Sequence, residues 1–237
     1  IVMELQFLGG AGEVGRSCIL IDDRFLFDAG IMIQKSGTIY PEEFPLKKIE
    51  AVFLSHAHLD HSGALPYFYQ KGMQRTIFAT KMTKELATVL LRDSFKVEKL
   101  TEGSVPYTEE EVTQALDLMI PVPYNRPGTF DDVTYAFLPA GHIPGSSSVY
   151  AEINGTKVLY TGDICLNDSK LLAKASYVLD DVDIVITEGT YGDRNHPSRK
   201  AEEKRFLQSV RTVIESGGSV IVPVFAALLW LLEFEFD

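Results

Sequence analysis

Three histidines and an aspartate stand within six residues, His56-Ala57-His58-Leu59-Asp60-His61, in the pattern H-x-H-x-D-H. Neutral imidazole and carboxylate are ligands that zinc accepts in hydrolytic sites. His56 and His58 alternate and can point to one side. Asp60 and His61 are adjacent and serve a neighbouring direction. That pattern suits two metal ions side by side better than one. The chain has only five histidines in 237 residues, so three in one turn are poorly explained as chance. His142, in Gly141-His142-Ile143-Pro144-Gly145, and Asp163, in Thr161-Gly162-Asp163, are further candidate ligands. An isolated Gly-Asp would otherwise read as a turn. Asp28, in Phe27-Asp28-Ala29-Gly30, reads either as a turn residue or as a carboxylate that orients a ligand histidine. Cys165 lies near Asp163 but is better read as a small buried apolar residue than as a ligand.

The elements around these residues place them at strand ends. Residues 51–54 form an apolar run that reads as a buried strand, and Ser55 ends it. His142 follows a strand expected over 132–138. Asp163 follows the second strand of a hairpin, 147–153 and 157–160, that turns on Asn154-Gly155. Glu188 closes a strand over 182–187. Residues 3–8 read as the first strand, and the loop Gly9 to Gly15 lacks the Gly-Lys-Ser/Thr ending of a nucleotide cradle. Residues 17–21 and 24–27 form a hairpin around Asp22-Asp23. Helices are expected over 62–70, 83–100, 108–118 and 199–216, the third opened by a capping box at Thr108-Glu109-Glu110-Glu111. Residues 76–79 and 219–223 read as strands and 121–131 as loop.

Composition narrows the class. With 46% hydrophobic residues, 237 residues can bury the core of one large domain or two small ones. The longest apolar stretch, 220–232, is too short to span a membrane, and no signal peptide opens the chain. Two cysteines, Cys18 and Cys165, argue against a disulfide scaffold and point to a reducing, cytoplasmic setting. A net charge of −11 argues against a dedicated nucleic-acid-binding module. It leaves room for an enzyme that grips nucleic acid through metal ions and a local basic patch. The start at Ile1 rather than methionine reads as a trimmed end.

The order Asp28, His56-x-His58-x-Asp60-His61, His142, Asp163 resembles the metallo-β-lactamase hydrolases. Glu188 with Tyr191-Gly192-Asp193-Arg194 is similar to the β-CASP branch, whose members process RNA or DNA and include RNase J and the endonuclease subunit of the pre-mRNA cleavage and polyadenylation factor. The opening from Gly9 to Cys18 looks closest to archaeal and eukaryotic cleavage-factor members, and the resemblance covers 3–226. It implies an α/β fold, an αββα sandwich with two zinc ions at one edge. His56, His58 and His142 would hold one zinc, Asp60 and His61 the other, and Asp163 would bridge them. The reaction implied is hydrolysis of phosphodiester bonds in single-stranded RNA by a two-metal-activated hydroxide. Asp60 would orient or deprotonate the attacking water, and Glu188 would help position a histidine that protonates the leaving oxygen.

The chain also departs from the family. No histidine follows His196, so the histidines of the β-CASP domain are missing, and residues 226–237 form an atypical tail after a metallo-β-lactamase domain over 1–225. His196 reads as a loop residue near the substrate groove. Arg194 and Arg199 read as phosphate contacts or as surface ion pairs. The alternatives are a non-nucleolytic hydrolase of a small ester, thioester or lactam, and a catalytically silent truncated subunit. A homodimer is compatible with each of these readings, and a membrane is not expected as a partner.

Overall fold

The computed structural model describes residues 3–223 except 102, 170, 178 and 180, so the tail over 226–237 lies outside the described residues. The chain divides into two compact units, Ile1–Glu188 and Gly189–Asp237. The first is a mixed α/β structure built on two facing sheets.

One sheet contains β1 (Leu5–Gly9), β2 (Cys18–Ile21), β3 (Phe25–Phe27), β6 (Ala51–Phe53), β7 (Thr76–Thr80) and β8 (Met119–Val122), in that order. β1, β2 and β3 pair antiparallel, whereas β3, β6, β7 and β8 run parallel. The other sheet has the order β13 (Ile184–Ile186), β12 (Thr156–Tyr160), β11 (Ser147–Ile153), β10 (Val133–Pro139) and β9 (Gly128–Phe130). A small hairpin, β4 (Met32–Gln34) and β5 (Gly37–Ile39), stands apart from both sheets. Helices α1 (Leu59–Ser62), α2 (Leu65–Gln70), α3 (Lys81–Thr101) and α4 (Glu109–Asp117) complete the unit.

The core follows from period-two alternation. Phe25, Phe27, Phe53 and Phe78 of one sheet meet Tyr135, Phe137, Val149 and Tyr160 of the other in one buried cluster. Phe53 is its hub, with ring centroids 5.2 Å from Phe27, 5.3 Å from Tyr135 and 5.5 Å from Phe78. Alternate residues of the first sheet, including Leu20, Leu26, Val52 and Ile77, are also fully buried. These strands are therefore covered on both faces, as parallel strands usually are.

The expected hairpins form. Asp22 and Asp23 turn the first with φ of 50° and 57°, and Asn154 and Gly155 turn the other with φ of 52° and 78°. Thr108 caps α4 through the expected box with Glu111. Three expectations fail. The stretch 121–131, read as loop, contains the end of β8 and all of β9. Pro121 and Pro123 disguise β8, but an edge strand tolerates a residue without an N–H, and β8 is at the sheet edge. Conversely, 219–223 forms no strand, because this β-favouring run finds no ladder partner among the described residues. The helix expected over 62–70 is broken: Ser62 ends α1 with the ligand run, and α2 begins at Leu65.

The second unit contains α5 (Arg199–Glu215), whose described side chains are all exposed or half-buried within the structure. Among the described residues, no helix is long and apolar enough to cross a membrane.

Candidate metal centre

Every candidate ligand stands just beyond the C-terminal end of a strand or on the short helix that follows one. β3 leads to Asp28 and β6 to His56 and His58, with Asp60 and His61 on α1. β10 leads to His142, β12 to Asp163 and β13 to Glu188. A strand end releases the backbone from its ladder, so consecutive side chains can converge. Close backbone approaches keep them together. A Cβ on Gly162 would lie 2.7 Å from Ser55 Cβ, which explains why glycine precedes Asp163. The Ser55 carbonyl accepts from both Ser147 N and Ser147 Oγ at 2.9 Å, tying the His56 strand end to the start of β11.

Three imidazole nitrogens converge with one carboxylate. His58 Nδ1 lies 3.2 Å from His56 Nε2 and 3.2 Å from His142 Nε2. Asp163 Oδ2 is 3.4 Å from His142 Nε2 and 3.8 Å from His56 Nε2. The other oxygen, Asp163 Oδ1, is 3.2 Å from His61 Nε2, and Asp60 Oδ2 is 3.8 Å from the same nitrogen. The six residues therefore sort into two groups sharing Asp163. Neutral imidazoles with lone pairs facing one another over such distances repel, and a cation among them relieves that repulsion. The donor set of nitrogen and carboxylate oxygen is one that zinc and similar divalent ions accept. The cluster can hold a metal ion.

Asp28 lies behind this cluster. It is fully buried, with a left-handed φ of 62°. Its Oδ1 accepts from Ser55 N at 2.7 Å. Its Oδ2 accepts from Ser55 Oγ at 2.7 Å, Tyr160 OH at 2.6 Å and His61 Nδ1 at 2.6 Å. Asp28, His56 and His61 lie close enough to form a ligand set of their own. With four donors on its two oxygens, however, Asp28 is placed to orient His61 rather than to bind a cation. Ser55 Oγ gives its proton to Asp28 and so accepts from His56 Nδ1 at 3.0 Å, turning the His56 Nε2 lone pair inward. Sequence reasoning passed over Tyr160 and the orienting part of Ser55; the serine's position directly before the histidine run was the available signal.

Electrostatics divides the histidines. Burial, reinforced by the neighbouring imidazoles, pushes His56 well below its ordinary value. Burial and His142 lower His58. Burial also opposes charge on His61, but the Asp28 and Asp163 carboxylates on either side outweigh it and raise His61 well above its ordinary value. Burial pushes Asp163 up, and the hydrogen bond from His61 together with the surrounding imidazoles brings it down further. The floor of Asp28, His56 and His61 is buried, whereas His58, Asp60, His142 and Asp163 are part-exposed, so the cluster opens on one side.

Glu188 Oε1 accepts from Ile164 N at 2.9 Å, immediately after Asp163. The remaining candidates lie in the second unit. Arg194 Nε is 3.4 Å from Asp193 Oδ1, Arg199 Nε is 3.1 Å from Glu203 Oε1, and His196 packs on Tyr191 with ring centroids 4.1 Å apart.

A family model described as the metallo-beta-lactamase superfamily matches residues 11–223. A protein named "Probable RNase MJ4" from Methanocaldococcus jannaschii is 40% identical over 230 residues, covering 94% of this chain and 54% of that protein. "RNase aCSPSF2" from Saccharolobus solfataricus is 34% identical, covering 94% and 46% respectively. "Cleavage and polyadenylation specificity factor 73" from Drosophila melanogaster is 32% identical, covering 95% and 34%. The chain thus spans about half, or less, of the length of these relatives. A crystal structure of a protein of unknown function from Enterococcus faecalis shares the fold, with a TM-score of 0.57 and 19% identity over 89% of this chain and 57% of that one.

Proposed function

The chain belongs to the metallo-beta-lactamase superfamily, and on that premise we propose that it is the metal-binding portion of a β-CASP-type nuclease that hydrolyses phosphodiester bonds in single-stranded RNA with two zinc ions. The observation that carries the reading is the division of Asp163. One oxygen faces the His56 and His142 nitrogens, and the other faces His61. A carboxylate shared in this way suits a paired-ion site. The printed names of the relatives, two RNases and a cleavage and polyadenylation factor, support RNA as substrate.

Zinc bound there supplies Lewis acidity toward the phosphodiester and makes water nucleophilic at neutral pH. The chain's own residues do the rest. His56, His58 and His142 would hold one ion, His61 and Asp60 the second, and Asp163 would serve both. Asp60, its side chain 38% exposed, would orient the attacking water and take its proton. Asp28 holds the His61 Nδ1 proton, so the ring would present Nε2 to a cation once the proton shared with Asp163 is released. Glu188, through the Ile164 amide, fixes the backbone next to Asp163. Arg194 and Arg199 make exposed ion pairs worth only about 0–1 kcal/mol, which an RNA phosphate can displace.

The test is cleavage of end-labelled single-stranded RNA by the purified chain, with and without chelation and zinc return. Cleavage that chelation abolishes and zinc restores supports the reading. Intact RNA beside hydrolysis of a small thioester, ester or lactam replaces it with the small-molecule alternative.

A further inference from the structure

His142 reaches the cluster from the second sheet, whereas His56 and His58 come from the first. Something must fix the distance between the two layers at that loop. Two threonine hydroxyls from the first sheet and the helix after it do so, and a tyrosine on the β8–β9 connection, its backbone bridged to Phe137 of β10, holds the same loop. The Gly145 carbonyl accepts from Thr80 Oγ1 at 2.7 Å and Thr83 Oγ1 at 2.8 Å. The Ser146 carbonyl accepts from Tyr124 OH at 2.9 Å. Inside the loop, Ser146 Oγ accepts from His142 N at 3.1 Å and Ile143 N at 3.2 Å.

The anchors are themselves held. Thr80 ends β7, Thr83 lies in the first turn of α3, and both are buried. Thr80 Oγ1 also accepts from Thr83 N at 3.1 Å, so one side chain caps the helix and grips the loop. Gly145 has φ of 84°, and a Cβ there would lie 2.6 Å from Thr83 N. None of these contacts reaches Asp28, Asp60 or His61. Those residues are braced separately, through Asp28 and through Ser17 N to Asp60 O at 2.8 Å, Ala29 N to His61 O at 2.7 Å and Ile31 N to Leu59 O at 2.9 Å.

We propose that Thr80, Thr83 and Tyr124 are positioning residues for His142, and that they set the affinity of the His56–His58–His142 ion site while leaving the His61 site to its own braces. The inference rests on the two-zinc reading above. Valine replaces the threonine hydroxyl with a methyl of similar size, and phenylalanine removes the tyrosine hydroxyl.

The experiment compares the full chain with Thr83→Val, Tyr124→Phe, their double variant and the hydroxyl-keeping Thr83→Ser. Zinc affinities are measured by competition with a chromophoric chelator, and cobalt-substituted absorption spectra report ligand geometry. Wild type is expected to bind two ions. In the double variant, one is expected to bind roughly 10–100-fold more weakly, as for other orienting partners. The cobalt spectrum should change, the second ion should be retained, and Thr83→Ser should behave as wild type. Circular dichroism verifies folding; Tyr124→Phe, at a residue 37% exposed, provides a mild variant should the double one unfold. Unchanged affinities and spectra, or equal loss of both ions, overturn the inference. Wild-type protein that takes up no metal overturns the underlying zinc reading instead, and is recognised before any variant is compared.

Discussion

Asp28 Oδ2 and His61 Nδ1 meet at 2.6 Å on the buried floor of the cluster. The same oxygen accepts from Ser55 Oγ and Tyr160 OH. Asp28→Asn replaces one acceptor oxygen with an NH2 that donates, among groups that are already donors. Zinc affinity is expected to fall roughly 10–100-fold. Stability is expected to fall by about 1.5–3 kcal/mol, the range for hydrogen bonds to a charged group. Chelator competition and thermal melting check both; a variant with wild-type zinc affinity would mean Asp28 does not orient His61.

Gly30 matters for space. A Cβ there would sit 1.7 Å from Asp60 O and 2.8 Å from His61 N, both backbone atoms. Gly30→Ala is expected to shift α1 away from the cluster and to cost about 1–3 kcal/mol from overpacking. Because α1 carries Asp60 and His61, the variant should lose the ion of that group more readily than the other. Equal retention of both ions by a folded Gly30→Ala protein would contradict this.

Protons compete with the second ion. Without a cation His61 is raised, holding protons toward Asp28 and Asp163, so its contribution to the stability of the zinc-free chain is full below the unfolded value of about 6.5 and lost as pH rises through the folded one. His56 is lowered and acts oppositely: its contribution is full above about 6.5 and lost as pH falls. Zinc needs the neutral His61 ring, so binding releases a proton. Affinity for that ion should rise with pH until His61 has lost its proton, by at most about tenfold per pH unit. Calorimetric titration in buffers of differing ionisation enthalpy checks this; heats independent of buffer would refute it.

The legible part of the site was what local spacing carries. The histidine run, His142 and Asp163 each follow a strand that the apolar pattern marks, and they meet because β6, β10 and β12 end on the same side. The braces were not legible. Tyr160 looks like one more strand aromatic until the fold brings its hydroxyl to Asp28, 132 positions away. Thr80 and Thr83 look like an ordinary strand end and helix start. Gly30 has no positive φ, so its need for glycine arises only from the Asp60 carbonyl facing it. β8 was hidden by prolines that an edge position tolerates. The strand expected over 219–223 did not form because β-favouring residues still need a ladder partner.

In the proposed site Asp163 joins two ions. Anomalous difference maps from crystals of the zinc-loaded chain, with metal counts on the same protein, test it most directly. Two peaks roughly 3.5–4 Å apart are expected, one among His56, His58 and His142 and one beside His61 and Asp60, each bound by a different Asp163 oxygen. A single peak, or two peaks of which only one touches Asp163, would contradict it.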